Sequence, residues 1–188
     1  MRYKEYTVSS GKKVRVYDDI IPLLLREKIY SFIVNSHFKL GWLDSITEKG
    51  SQHKYLHSFY NEQDSIQCGL LPYLMENDSV AAHLKSLKIT HSVINLSVPS
   101  DTHFAHSHGE KLVVLYYANL EWQQHWHGET LFYSEDLGEI ELALPYTPGR
   151  VVIFDADIPH SMRPQSISAD HYRFTYATVF DEVKDGAS

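Results

Sequence analysis

The stretch Arg173-Phe-Thr-Tyr-Ala-Thr-Val-Phe180 predicts a β-strand with two unlike faces. Side chains alternate along a strand, so one face would carry Arg173, Thr175, Ala177 and Val179, and the other Phe174, Tyr176, Thr178 and Phe180. We expect the aromatic face to pack against helices and the other face to look inward, toward space for a ligand. Because burying an uncompensated charge is costly, an inward Arg173 needs an anionic partner, and a carboxylate-bearing cosubstrate would supply one.

Further strand-like segments lie upstream of this one, separated by glycine and proline. They cover residues 89–98, 111–118, 130–133, 140–144 and 150–154. Runs of strands that follow helices are typical of an α+β domain in which the helices buttress one antiparallel sheet of a barrel or sandwich. The period of the pattern does not separate a barrel from a sandwich.

Helical patterns occupy the first half of the chain, after a short strand at 14–17. Pro22 suits the first turn of a helix, and Leu25 and Ile29 begin an apolar repeat at helical spacing. A second helix is predicted to begin near Asp78 or Ser79, either of which can cap it.

Residues 41–66 are polar, aromatic and irregular. They predict a loop or weak strands that line an opening. With no linker or repeat elsewhere, we expect residues 1–188 to form a single domain, with helical support over about 1–87 and a β core over about 88–181.

Composition narrows the function classes. The 188 residues are 43% hydrophobic and 13% aromatic, enough for a sizeable core. A formal net charge of −7 argues against nucleic acid as a partner. Cys68, the only cysteine, suits a reducing compartment, so we expect a cytoplasmic protein; the polar residues after Met1 and the lack of a long apolar run predict no signal peptide or membrane span.

The segment at 101–110 concentrates three of the 12 histidines. His106 and His108 stand at i and i+2, so on an extended chain both imidazoles point the same way and could converge on one metal ion. Another histidine, His160, follows the predicted strand at 150–154. Alone, a His-x-His pair is as compatible with a packed or surface role as with a metal site.

The ordered set of motifs resembles the signature of Fe(II)/2-oxoglutarate dioxygenases, particularly the prolyl-hydroxylase-like branch. The matching pieces are Asn95, His106-x-His108, Leu115-Tyr-Tyr-Ala-Asn119, Trp122, Trp126-His-Gly-Glu-Thr130, Pro148-Gly-Arg-Val-Val-Ile-Phe154, His160, Pro164 and Arg173-x-Thr175. They span about residues 88–180. The resemblance implies a double-stranded β-helix (a jelly-roll or cupin-like barrel) buttressed by N-terminal helices.

The same resemblance implies the cofactors and their ligands. His106 and His160 would be two ligands of Fe(II). Arg173, with Thr175 and Tyr117, would bind the distal carboxylate of 2-oxoglutarate, and Asn95 resembles an asparagine that contacts this cosubstrate in some branches. The implied reaction hydroxylates a C–H bond of an amino-acid or peptidyl, prolyl-like substrate with release of succinate and CO2, and ascorbate would stimulate it.

One position departs from the family pattern, which has a carboxylate two residues after the first histidine. Here His108 stands at that position. Three interpretations follow: an all-histidine triad with His108 as a ligand, a shifted motif in which His108-Gly-Glu110 supplies the carboxylate, or water or another carboxylate such as Asp101 as the third ligand. The first is favoured, because the shifted frame leaves a very tight connection to the next strand.

Two other function classes compete with the oxygenase. A cupin-type enzyme with a three-histidine metal site would share the barrel and not use 2-oxoglutarate, but it would not need an inward Arg173-x-Thr175. A catalytically inactive binding module would bind neither metal nor cosubstrate. The sequence gives no information on substrate identity, the position of oxidation or oligomeric state.

Overall fold

The computed structural model describes residues 1–42, 55–99, 101 and 103–183. Three α-helices and eleven strands occupy this part of the chain. The helices are α1 (Leu23–Val34), α2 (Leu70–Glu76) and α3 (Asp78–Leu84). The strands are β1 (Arg2–Thr7), β2 (Lys13–Asp18), β3 (Lys39–Trp42), β4 (Tyr55–Asn61), β5 (Leu87–Ser97), β6 (Leu112–Tyr117), β7 (Thr130–Tyr133), β8 (Ile140–Leu144), β9 (Val151–Asp155), β10 (His160–Met162) and β11 (Arg173–Glu182).

The strands form two antiparallel sheets. The large sheet has the order β1-β2-β9-β6-β11-β5-β4-β3, and the small sheet has the order β10-β7-β8. An isolated bridge between His106 and His160 adds a further short pairing at the edge of the small sheet. The fold is a double-stranded β-helix, and the α+β class predicted from the sequence is confirmed.

The outer face of the large sheet packs against the helices. Ile29 and Ile33 of α1 and Leu74 of α2 are fully buried there, in one apolar cluster with Tyr116 of β6 and Tyr176 of β11. Burial of large side chains of this kind contributes roughly 1.5–3 kcal/mol each. The aromatic face of β11 therefore lies where the alternation predicted.

A second apolar core fills part of the space between the two sheets. It joins Val14 and Val152 of the large sheet to Phe132 and Leu144 of the small sheet. Toward β5 and β11 the same interior turns polar and opens into a cavity. The inward orientation predicted for the alternate residues of β11 is confirmed, since Arg173, Thr175, Ala177 and Val179 all line this cavity.

The sequence patterns missed several elements of the first half. β1, β3 and α2 were not predicted. β4 falls in the region expected to be a loop or weak strands, and residues 43–54 of that region lie outside the described residues. β4 exists because it pairs with β5 along six positions rather than through its own pattern. The predicted cap of α3 was also wrong, because the side chain of Asn77 caps it by accepting from the Ser79 amide.

Within the described part of the chain, no helix combines the length and apolar character that a membrane span requires. The first 87 residues are not mainly helical, since they contribute four strands to the large sheet in addition to α2, α3 and α1.

Candidate metal and cosubstrate site

Three histidines meet at the open edge of the small sheet. His106 and His160 are joined by a pair of backbone hydrogen bonds, with N···O distances of 3.0 and 2.8 Å. The amide of His108 donates to the carbonyl of Ala156, just beyond β9, at 2.8 Å. Backbone pairing thus fixes the main chain at all three positions, and one candidate ligand nitrogen from each ring lies within 4.8 Å of the other two.

Hydrogen bonds orient two of the rings. Nδ1 of His106 lies 3.1 Å from the carbonyl oxygen of Phe104, and Nδ1 of His160 lies 2.9 Å from that of Ile158. A carbonyl can only accept, so both rings carry the proton on Nδ1 when they are neutral and leave the Nε2 lone pair available. This is the arrangement by which metal-binding histidines are commonly oriented.

The electrostatics favour the neutral, ligating form of His160. Burial, followed by the proximity of His106 and His108, holds the pKa of His160 well below its ordinary value. A histidine must be deprotonated to bind a metal, so this ring needs little or no proton release at neutral pH. The donor set of three imidazoles suits Fe(II), Zn(II), Cu(II) or Ni(II).

The alternative third ligands lie elsewhere. In the described part of the chain, the group of possible metal ligands contains His106, His108 and His160, and neither Glu110 nor Asp101 belongs to it. Asp101 instead accepts a hydrogen bond from the Val98 amide at 2.9 Å, where it closes the turn after β5. The geometry thus favours the all-histidine interpretation of the motif.

Arg173 lies deep in the same cavity and is 3% exposed. Its Nε donates to the Gly128 carbonyl at 2.9 Å, its backbone amide donates to the Gln165 side chain, and its guanidinium carbon lies 4.8 Å from the ring centre of Tyr146. Among the described residues no carboxylate forms an ion pair with it. Burial lowers the pKa of Arg173, yet a guanidinium stays charged in proteins. Glu129 acts on it electrostatically but forms its ion pair with Arg163 at 3.4 Å, so the cavity holds a cation that is not ion-paired with any described carboxylate.

Two of the residues predicted to assist Arg173 line the cavity with it. Thr175 is directly opposite Asn95 in the pairing of β11 with β5, and both side chains face the cavity. Tyr117, directly opposite Thr175 on β6, does not line it. Its hydroxyl donates to Oγ1 of Thr130 at 2.7 Å, and its ring stacks on Tyr146 with 4.7 Å between ring centres.

The cavity connects the histidine cluster to Arg173. Its volume is about 100 Å³, counted as the space open to the centres of water molecules. This is several times what one water needs, so the cavity can hold a small ligand. Apolar side chains such as Val113, Leu115 and Phe154 form much of its wall. A concave, partly apolar space with a few convergent polar groups is typical of a small-molecule site.

The sequence analysis missed several residues of this site. His91, His103, Thr130 and Met162 also line the cavity. Gly128, with φ +83°, brings its carbonyl under Arg173, and a Cβ there would lie 3.0 Å from Cδ of Arg173. The motif Gly128-Glu-Thr130 was visible in the sequence, but its role depends on how the small sheet faces β11.

No family model matches the chain, and a search of curated proteins finds no match. Solved structures do match. A prolyl hydroxylase from Trichoplax adhaerens, solved in complex with an oxygen-degradation-domain peptide of hypoxia-inducible factor, has 16% sequence identity and a TM-score of 0.67, over 90% of this chain and 83% of that one. A Pseudomonas putida prolyl-4-hydroxylase has 14% identity and a TM-score of 0.67, over 90% and 92%.

A third match is SnoK, a non-haem α-ketoglutarate-dependent carbocyclase of nogalamycin biosynthesis, with 14% identity and a TM-score of 0.61 over 92% of this chain and 84% of that one. The chain therefore shares its fold with prolyl hydroxylases and other 2-oxoglutarate/Fe(II) oxygenases. The resemblance read from the sequence is confirmed at the level of the fold.

Proposed function

We propose that this protein is a non-haem Fe(II)- and 2-oxoglutarate-dependent oxygenase. One observation carries the proposal: a buried arginine without an acidic partner among the described residues lines the same cavity as three convergent histidines. A metal site alone would not require Arg173. A cosubstrate with one carboxylate for a guanidinium and a second chelating end for a metal accounts for both features.

Each group of side chains has a definite task in this proposal. His106, His108 and His160 would hold Fe(II) through their Nε2 atoms on one side of the cavity. Arg173 would fix the distal carboxylate of 2-oxoglutarate by a charge-assisted hydrogen bond, and the Thr175 hydroxyl would donate a second one. The bound metal would supply the chemistry in which O2 converts 2-oxoglutarate to succinate and CO2 while one C–H bond of the substrate becomes C–OH.

The remaining contribution of the chain is positioning and exclusion of water. Fixing both ends of the cosubstrate orients it without a search through other geometries. The apolar wall of Val113, Leu115 and Phe154 keeps the reacting centre dry, which strengthens the interactions of charged groups inside. The mechanism assigns no side chain as a general base.

For the substrate we propose an amino acid or a peptidyl, prolyl-like group. The support is the fold shared with prolyl hydroxylases, one of which was solved with a bound peptide. The fold also serves a carbocyclase, so fold alone does not fix the substrate. We also propose a cytoplasmic location, on the strength of the single cysteine.

The test is binding and uncoupled turnover of 2-oxoglutarate. Protein purified without oxygen and loaded with Fe(II) should bind 2-oxoglutarate in calorimetry and, once O2 is admitted, release succinate, with and without ascorbate. Arg173→Met should weaken 2-oxoglutarate binding about 100-fold and reduce succinate release accordingly. Arg2→Met, at an exposed ion pair with Asp19, removes the same charge from the surface and should change neither.

A cupin-type three-histidine enzyme that does not use 2-oxoglutarate is the second candidate, favoured by the absence of a carboxylate from the histidine cluster in the described residues. Tight metal binding without any 2-oxoglutarate binding would replace the oxygenase proposal with this one. A protein that bound neither would be a binding module.

A further inference from the structure

The charge balance of the cavity differs from that of the protein as a whole. The chain carries a formal net charge of −7, yet no aspartate or glutamate is among the described residues that line the cavity. Its one permanent charge is Arg173, and five histidines share the lining: His91, His103, His106, His108 and His160. A ligand in this cavity therefore meets the guanidinium of Arg173 and the rings of the histidines, and no lining carboxylate repels an anion.

The histidine at position 108 makes this imbalance larger. If the proposed function holds, a divalent metal and Arg173 together bring three positive charges, and 2-oxoglutarate brings two negative ones. A carboxylate among the metal ligands would cancel the remaining charge, but three neutral imidazoles do not. The cavity would keep one uncompensated positive charge beside its apolar wall, which is unfavourable in surroundings of low polarity.

The cavity also extends beyond the part that 2-oxoglutarate would fill. Along β11 its lining runs from Arg173 to Val179, six residues further, which corresponds to roughly 20 Å of extended strand. Ser97 is paired with Arg173 at one end, and His91 is paired with Val179 at the other.

At this far end the wall combines one imidazole with apolar side chains. The half-buried ring of His91 stacks on Phe59, with 5.4 Å between ring centres, and makes no hydrogen bond with any described residue. Val93, Val113 and Val179 line the wall beside it. Glu110 interacts electrostatically with His91, but it is not among the lining residues.

We propose that the cavity binds a second anion beside 2-oxoglutarate, namely the carboxylate of the substrate, between the histidine face and His91. The substrate is then a small free carboxylic acid, such as an amino acid, rather than an internal residue of a peptide. The carboxylate supplies the negative charge that His108 does not, and the His91 ring N–H donates to it. The valine wall accommodates the apolar part of the molecule.

The test uses acetate as the probe, on protein loaded with Co(II) and saturated with 2-oxoglutarate in the absence of O2. Acetate should change the visible absorption of the Co(II) and bind in calorimetry without displacing 2-oxoglutarate. Acetamide, which is neutral and nearly the same shape, should do neither. Chloride, added at the same ionic strength, should bind at least about tenfold more weakly, because it offers no paired oxygens to the metal face and His91.

Two variants locate the effect. His108→Asp restores a negative charge to the ligand set and, with both proteins saturated with 2-oxoglutarate, should bind acetate about tenfold or more weakly than wild type. His37→Asp makes the same charge change at an exposed position and should leave acetate binding unaltered. His91→Leu should weaken acetate binding without affecting 2-oxoglutarate.

Several outcomes overturn the proposal. Equal binding of acetate and acetamide, displacement of 2-oxoglutarate by acetate, or unchanged acetate binding in His108→Asp would each do so. If chloride bound more tightly than acetate, the site would be one for an inorganic anion. If acetate did not bind at all, hydroxide and not a substrate carboxylate would neutralise the remaining positive charge. If 2-oxoglutarate itself does not bind, the proposed function is wrong. Binding of 2-oxoglutarate is measured before acetate is added, so this failure is distinguished from a failure of the second-anion proposal.

Discussion

The buried side chains on the two faces of β11 differ in where their interaction partners come from. On the outer face, Tyr176 is 1% exposed, packs among apolar residues and donates its hydroxyl to the Ser65 carbonyl at 2.7 Å. On the inner face, Arg173 is equally buried but lacks an acidic partner among the described residues. The outer face is complete within the chain, whereas the proposed function completes the inner face with a ligand. Substitutions on the two faces should therefore affect different properties, stability on one and binding on the other.

The largest expected effect is on stability, at the outer face. Tyr176→Ala should lower the free energy of unfolding by about 3–5 kcal/mol, because it leaves a cavity in the core between the sheet and the helices. Urea denaturation followed by circular dichroism measures this. Tyr176→Phe keeps the ring and loses one hydrogen bond, so it should cost only about 1 kcal/mol. A Tyr176→Ala protein as stable as the wild type would contradict the division between the faces.

At the inner face the effect should move from stability to binding. Arg173→Met should weaken 2-oxoglutarate binding about 100-fold, in line with the loss of one partner of a buried charge pair. Its free energy of unfolding without ligand should change by less than about 1 kcal/mol, since losing the hydrogen bond to Gly128 is offset by removing a buried, unpaired charge. Calorimetry and urea titration on the same samples test both. Destabilisation as large as that of Tyr176→Ala would show that Arg173 serves the fold.

The contrast between these two faces could be predicted from the sequence, because side chains alternate along a strand whatever strands it pairs with. The strands from β5 to β9 and β11 were also predicted, with ends that agree within two residues. β1 and β3 were not, because they are edge strands whose segments are mostly polar, as in Arg2–Thr7, or only four residues long, as in Lys39–Trp42. β4 was expected only as a loop or weak strand. In the same way, β10 has three residues, too few for a pattern.

Prediction of the site meets the same limit, since contacts between distant segments cannot be derived from the sequence pattern. His106, His108, His160 and Arg173 were identified because motif order and spacing carry them, and the structure brings all four to one cavity. Position along the chain could not show that His91 and Thr130 line it too. Tyr117 lies beside Arg173, with 5.7 Å between its ring centre and the guanidinium carbon, but it does not line the cavity, and its hydroxyl donates to Thr130 in a contact between the two sheets that no spacing encodes.

A smaller effect, on stability and on 2-oxoglutarate binding together, is expected at Gly128, which lies beneath Arg173. This glycine has a positive φ, and a Cβ would lie 3.0 Å from Cδ and 3.2 Å from Nε of Arg173. Gly128→Ala should therefore cost about 1–2 kcal/mol of stability and also weaken 2-oxoglutarate binding, because the guanidinium must shift. Gly11→Ala, at the same φ of +83° but with nothing within 4 Å of the added Cβ, is the matched control. Loss of stability with unaltered binding would show that Arg173 tolerates the displacement.

The smallest expected effect distinguishes two inner positions that face each other across the β6 and β11 pair. Tyr117→Phe removes the hydroxyl that donates to Thr130 and should lower stability by about 1 kcal/mol, with 2-oxoglutarate affinity within about threefold of wild type. Thr175→Val removes a hydroxyl that faces the cavity and should weaken binding by about tenfold, with little change in stability. Calorimetry on the two variants decides which hydroxyl contacts the cosubstrate. If Tyr117→Phe proves the weaker binder, the tyrosine hydroxyl leaves Thr130 for the carboxylate of 2-oxoglutarate when the cavity is filled, and the ligand-free hydrogen bond is the resting position of a side chain that takes part in binding.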